Sequence, residues 1–166
     1  QLQGIKQDKE GIQPSHLEEQ LQKGKIKLLY LNPNYQNPTS ATMSLKRRKE
    51  ILVLCQRYQI PIIEDDVFAD FAFNDPLPTL KELAPEHVIY LGSFSKLFSS
   101  RIKIGWVYAN APLIHRLTQV KNQTEQETEL LPQMLVHVAL SDFDYSQKHQ
   151  RLLRELIIRK EAFEEK

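Results

Sequence analysis

An amine, a carboxylate, an amide, two hydroxyls and a second cation recur at the ends of successive apolar runs in this sequence. The amine is Lys96, which closes the stretch Val88-Ile89-Tyr90-Leu91-Gly92-Ser93-Phe94-Ser95-Lys96. A short apolar run bounded by glycine reads as a buried β-strand. In an α/β sheet, ligands bind in the crevice beyond the carboxyl ends of the strands, which is where Ser93, Ser95 and Lys96 fall. An amine held there against a ligand has a pKa open to lowering by burial or by a neighbouring cation, and becomes a nucleophile or a base. Asp65 follows the run Pro61-Ile62-Ile63, and Asn37 lies in the loop after Lys27 to Leu31. Taken singly, each residue has a plain structural account: a turn asparagine, a helix-capping aspartate, a solvated loop lysine. Their convergence on one rim of one sheet argues for joint use.

The elements that must position them follow from the spacing. Pro14 to Leu21 carries proline near its start and leucines four apart, a short helix stopped by Gly24. Residues 27–31 read as a strand, ending in Asn32-Pro33-Asn34-Tyr35-Gln36-Asn37-Pro38-Thr39, whose prolines exclude helix. Ser44 is the expected N-cap of a helix with an apolar stripe of Leu45, Ile51, Leu52, Cys55 and Tyr58. Its run from Lys46 to Glu50 reads as a solvated face. Residues 61–63 form the second strand and lead into Glu64-Asp65-Asp66. Residues 74–87, with three prolines, read as an irregular crossing with at most a turn or two of helix around Leu80. The third strand is 88–91. The fourth, Ile104 to Ala109, follows after about a dozen residues, short for a helical crossover, so antiparallel pairing is expected. Asn110 caps a helix with Pro112 near its start, a polar break spans 122–129, and an apolar helix covers 132–140. Residues 143–163 read as one long helix with Tyr145, Leu152, Leu153, Leu156, Ile157 and Phe163 along one side. The sum is an α/β fold with a mainly parallel, doubly wound sheet flanked by helices.

Bulk properties narrow the classes. The 166 residues suffice for one domain with a real core, and 41% hydrophobic with 26% charged residues is ordinary for a soluble globular chain. A formal net charge of +1 gives no argument for nucleic-acid or membrane binding by this region. There is no run long enough to span a membrane and no signal-peptide pattern. The single cysteine, Cys55, cannot pair internally and sits in an apolar pattern, so it reads as core in a reducing, cytoplasmic compartment. The sequon at Asn122-Gln123-Thr124 then reads as chance. Five scattered histidines show no metal-ligand spacing. Gln1 to Glu10 has neither an initiator Met nor a capping pattern, so the chain is expected to begin in the middle of a larger one.

One cofactor suits the residue set. Pyridoxal 5'-phosphate requires a lysine for a Schiff base, a carboxylate to keep its pyridine nitrogen protonated, a donor near its ring oxygen and a site for a phosphate dianion. Lys96 and Asp65 answer the first two, and Lys96 released from the imine could act as general base. Ser93, Ser95 and Lys103 could hold phosphate oxygens. A glycine-rich cradle is absent, with Gly92 and Gly105 the only glycines nearby.

These motifs resemble a known family. Gln36-Asn37-Pro38-Thr39, Ile63-Glu64-Asp65-Asp66-Val67-Phe68, Ser93-Phe94-Ser95-Lys96 and the closing Ile104-Gly105-Trp106 are similar to the class I/II aminotransferases of PLP fold type I, from about residue 10 to the end. The resemblance implies that Lys96 carries the cofactor, Asp65 partners the pyridine nitrogen and Asn37 meets the ring oxygen. It implies a partial large domain over 1–141 and, over 142–166, a linker helix towards a small C-terminal domain. The Gln-Asn-Pro-Thr and Ile-Glu-Asp-Asp forms look like aminoadipate-type transaminases and equally like the aminotransferase-like domain of MocR-type GntR transcription regulators.

Departures from the family pattern tune the expectation. Phe68 stands where the family usually has a tyrosine, and cannot donate to the ring oxygen. Lys103 falls at the family's phosphate-binding arginine, a point charge in place of a fork, and Arg101 is out of register to replace it. Ser40 stands where glycine is common. The family's phosphate loop and ring-stacking aromatic precede this region, and its substrate-carboxylate arginine follows it, so this stretch alone is expected not to transaminate.

Two functions fit. The first is the PLP-binding effector domain of a GntR/MocR-type regulator that senses an amino acid or vitamer and contacts DNA only through a winged-helix domain outside this region. The second is a free-standing transaminase acting on an amino acid and a 2-oxo acid. A homodimer is the expected assembly of either. An α/β domain using none of this chemistry is the third, plainer account.

Overall fold

In the computed structural model, residues 2–72, 76–124, 128–141 and 144–164 are described. A short antiparallel hairpin, β1 (Gln7–Asp8) and β2 (Gly11–Ile12), leads into α1 (Pro14–Gln22). Pro14 at the start of α1 has no amide to leave unpaired, and Gly24 ends the segment at φ +67°, a conformation glycine adopts without steric cost. Then follow β3 (Leu29–Leu31), α2 (Leu45–Arg57), β4 (Ile62–Asp65), a 3-10 turn (Ala69–Phe71), α3 (Leu80–Leu83), β5 (Val88–Ser93) and β6 (Gly105–Tyr108). Three helices close the order: α4 (Ala111–Thr124), α5 (Leu130–Ser141) and α6 (Tyr145–Glu164).

The sheet runs β3-β4-β5-β6, the first three parallel and β6 antiparallel to β5, as the short connection predicts. The caps lie where the sequence puts them. Ser44 Oγ accepts from Arg47 N at the start of α2, and Asn110 Oδ1 accepts from Leu113 N at the start of α4. Thr79 and Glu82 form a reciprocal capping box on α3. The first strand is shorter than expected, three residues of the predicted five. The predicted crossing falls partly on residues 74 and 75, outside the described residues; the polar break expected at 122–129 includes 125–127, also outside them, and its first three residues instead continue α4 to Thr124.

Alternation assigns each strand residue to a face. Leu29 and Leu31, Ile62 and Glu64, and Val88 point to the buried side, where α1, α2 and α3 supply Leu17, Leu21, Ile51, Leu52, Leu54, Cys55 and Leu80 to one continuous core. Tyr30, Ile63, Asp65, Leu91 and Ser93 point to the other side, and none of these is fully buried. Burial pushes the Cys55 thiol up to about 12, consistent with a core residue and not a nucleophile.

One expectation is corrected. The run from Lys46 to Glu50 is not a uniformly solvated face: Arg48 is 0% exposed. Residues 45, 48, 52 and 55 lie on one stripe of a 3.6-residue helix, so Arg48 occupies a core position between leucines. Its guanidinium is tolerated because each of its three nitrogens has a partner, donating to Met43 O at 3.0 Å, to Pro78 O at 2.9 Å and to Asn34 Oδ1. Its neighbour Arg47 turns to the hairpin instead, pairing with both Asp8 carboxylate oxygens and with Ile12 O. Lys46 and Lys49 do face water.

Candidate functional site

The parallel pairing sets the carboxyl ends of β3, β4 and β5 side by side. Leu31 registers with Glu64, and Asp65 with Leu91. The chain leaves β3 through Asn32 to Asn37, leaves β4 at Asp65, and leaves β5 through Ser93 to Lys96. Asp65 is held from β3 at two points. Tyr30 Oη donates to Asp65 Oδ2, and Asn32 Nδ2 donates to the Asp65 carbonyl at 3.0 Å. The other carboxylate oxygen, Oδ1, is buried and has no hydrogen-bond partner among the described residues.

Beside it, β5 ends in a tight return. Ser93 Oγ accepts from Ser95 N at 3.2 Å and lies 3.4 Å from Ile104 O, while Phe94 N donates to Ile104 O at 2.9 Å. Gly92 is required under this return: a Cβ there would lie 2.3 Å from Trp106 Cε2, so only glycine lets the indole cross β5. Trp106 also stacks on Tyr90, with ring centroids 5.1 Å apart. Lys96 is exposed, its Nζ 5.9 Å from the centre of the Phe68 ring. That contact brings the segment after β4 to the segment after β5. Phe98 meets Phe94 and Tyr145, and His149 of α6 pairs with Asp70 O at 2.7 Å, which docks α6 beside the site.

The structure thus gathers Asp65, Phe68, Ser93, Ser95 and Lys96 on adjacent strand exits. Asn37 and Lys103 are exposed, and among the described residues neither side chain makes an internal hydrogen bond. Lys103 has φ +51° and Ser40 has φ +58°, left-handed conformations that disfavour a Cβ. At Ser40 this gives the physical reason for the glycine common at that position.

A buried polar network beneath the rim escaped sequence reasoning. Arg48 holds Asn34, whose Nδ2 donates to Asp66 Oδ1 at 2.9 Å, and Tyr90 Oη donates to Asp66 Oδ2 at 3.0 Å. Four chain segments are tied together by that sequence of bonds: α2, the loop bearing Asn37, the exit of β4, and β5. Burial pushes the Asp66 carboxyl up, opposed by the bonds from Asn34 and Tyr90. Glu64, on the core face, accepts from Leu80 N at 2.9 Å and Lys81 N at 2.8 Å. Burial nonetheless raises its pKa to about 7. The helical position of Arg48 was the one available signal for this network; the partners of Arg48 carried none.

The donor set fits pyridoxal 5'-phosphate on an observation independent of any motif. A buried carboxylate oxygen without a partner is costly in a fold, and Asp65 Oδ1 has the chemistry to accept the pyridinium N–H. An exposed lysine on the neighbouring strand exit and the hydroxyls of Ser93 and Ser95 lie on the same rim.

Comparison with known proteins agrees with the geometry. The aminotransferase class I and II family matches residues 5–166. The uncharacterized HTH-type transcriptional regulator YdfD of Bacillus subtilis is 34% identical over 164 residues, 96% of this chain and 34% of that protein. The HTH-type transcriptional regulator NorG of Staphylococcus aureus is 36% identical over 140 residues, 84% of this chain and 31% of that protein. The chain therefore spans about a third of the length of these curated relatives. Among solved structures, the α-aminoadipate aminotransferase LysN of Thermus thermophilus, complexed with N-(5'-phosphopyridoxyl)-L-leucine, superposes with a TM-score of 0.84 at 34% identity, covering 90% of this chain and 40% of that one. The multiple substrate aminotransferase of Thermococcus profundus gives 0.88 at 30% identity, covering 97% and 42%. The architecture is that of the fold type I large domain, and the chain belongs to the aminotransferase class I and II family.

Proposed function

We propose that this chain is the pyridoxal 5'-phosphate-binding, aminotransferase-like effector domain of a GntR/MocR-type transcription regulator. The observation that carries the cofactor reading is Asp65, with Oδ2 held by Tyr30 and Oδ1 buried and unpaired. Asp65 would hold the pyridine nitrogen in its protonated form, and Asn37 would orient the ring oxygen. Ser93, Ser95 and Lys103 would bind the phosphate, and Lys96 would carry the cofactor through its amine. Bound pyridoxal 5'-phosphate supplies an electron sink for the carbon of an amino acid that loses its α-proton. Lys96, freed, would move that proton. Phe68 brings a ring and no donor to the ring oxygen, a different tuning of the site from the family's tyrosine. Residues 1–141 would then be a partial large domain and 142–166 the helix towards a small domain.

Support for regulation comes from relatives named as HTH-type transcriptional regulators, which align with nearly the whole chain. DNA binding would belong to an HTH domain outside this region, the ligand would be an amino acid or vitamer, and the working form would be a cytoplasmic homodimer. No described helix is long and apolar enough to cross a membrane. A free-standing transaminase is the second reading, favoured by the likeness to LysN and by the presence of Lys96, Asp65 and Asn37 together.

Borohydride reduction of the full-length protein with PLP, followed by peptide mapping, should place pyridoxyl on Lys96. Label on another lysine, or on none, would overturn the cofactor assignment. The N-terminal sequence of the native protein separates the two readings: a basic winged helix ahead of this region means the regulator, and an ordinary transaminase segment means the enzyme.

A further inference from the structure

Asp65 is the middle of three consecutive acids, and its two neighbours are accounted for elsewhere. Glu64 turns to the core face, where backbone amides of Leu80 and Lys81 occupy both of its oxygens. Asp66 is taken by Asn34 and Tyr90. Of the three, Asp65 alone has, among the described residues, one oxygen occupied and one free, and the occupant is a single side chain, Tyr30. The register explains why it can be. Tyr30 pairs with Ile63, so its side chain rises on the same sheet face as Ile63 and Asp65. A phenol is long enough to span the two-residue step along the adjacent strand.

We propose that Tyr30 is a positioning residue of the cofactor site, fixing the Asp65 carboxylate through Oδ2 so that Oδ1 is the oxygen left for the cofactor's ring nitrogen. This rests on the reading of the site as PLP-binding. A carboxylate turns about a single bond, and a ligand that needs one oxygen at one place loses affinity when that rotation is free. With the main chain of Asp65 pinned by Asn32, the side-chain torsion is the freedom that remains, and Tyr30 removes it. Burial and the facing Asp65 carboxylate both push the Tyr30 phenol above its ordinary pKa, so it stays a donor across the neutral range.

The test is a double-mutant cycle on PLP affinity in the full-length protein, with Tyr30→Phe, Asp65→Asn and the double variant. Tyr30→Phe should weaken binding roughly tenfold, as loss of a hydrogen bond to a charged group does. On the Asp65→Asn background the same change should matter less than about twofold, because Tyr30 acts through that carboxylate. Binding by Tyr30→Phe as tight as the native protein's, or an equal loss on both backgrounds, overturns the proposal. The native protein is the control: pyridoxyl on its Lys96 with no effect of Tyr30→Phe sinks the role of Tyr30 alone, whereas no labelling sinks the cofactor reading with it. A second measurement needs no cofactor and no change at Tyr30. In the apo protein, Asp65→Asn should lower the ionisation midpoint of one tyrosine in an ultraviolet phenolate titration. Identical titrations for the native and Asp65→Asn proteins would mean that the contact is absent, and would overturn the proposal.

Discussion

The two faces of the sheet treat neighbouring acids in opposite ways. Glu64 and Asp65 are adjacent, and alternation sends one into the core and the other to the rim. On the core face, Glu64 is sealed by two amides at the start of α3, and Arg48 and Asp66 nearby have their own partners. The carboxylate oxygens of Glu64 and Asp66 are all spent on the fold. On the rim face, Asp65 has a held oxygen and a free one. The satisfied acid serves the architecture, and the half-satisfied one has the acceptor that the proposed cofactor site requires.

The largest effect is expected at Arg48. Replacing it by Met leaves Asn34, Met43 O and Pro78 O without their donor among buried acids, and should destabilise the full-length protein by about 3–5 kcal/mol in urea unfolding. A loss below about 1 kcal/mol would mean that the core face is not held by this network. Next comes the pH dependence of Glu64. Its folded pKa of about 7 lies above the ordinary 4.5, so the fold prefers it protonated. Its contribution is therefore complete below about 4.5 and is lost as pH rises to about 7, on the order of 3 kcal/mol. Glu64→Gln should flatten stability over that window, and should leave PLP affinity within about twofold. A variant with the native pH profile would locate the dependence elsewhere.

Asp65→Asn inverts the pattern: PLP affinity should fall by roughly 10–100-fold while the apo protein melts no lower than the native one, since the carboxylate with one unpartnered oxygen loses its charge. An apo protein that unfolds readily would make Asp65 a structural residue like Glu64. The smallest effect sharpens the site. Phe68→Tyr restores a hydroxyl on the ring beside Lys96 and should tighten PLP binding a few-fold, by about 1 kcal/mol or less. Weaker binding would place that ring away from the cofactor.

Much of this was legible without coordinates because the signals are local. Strand ends, the Ser44 and Asn110 caps, the antiparallel return to β6 and the core placement of Cys55 follow from periodicity and short-range hydrogen bonding. Arg48 shows where that reading failed. Residue type argued for solvent and helical phase argued for core, and phase decided because three acceptors distant in sequence, or from its own helix start, met the guanidinium. Likewise Gly92 reads as a strand-bounding glycine, whereas its role is to clear space for Trp106 from the next strand.

The sequence by itself determined which residues stand at the strand exits, since alternation and turn chemistry are properties of a few consecutive residues. It also determined the family, through motifs that survive as strings. Only the tertiary structure decided the partners of the three acids at 64–66. Tyr30, Asn34, Leu80 and Tyr90 lie between 16 and 35 residues away from the acids they meet. Burial and hydrogen-bond satisfaction depend on what packs across the sheet, and that information is not local to any segment of the chain.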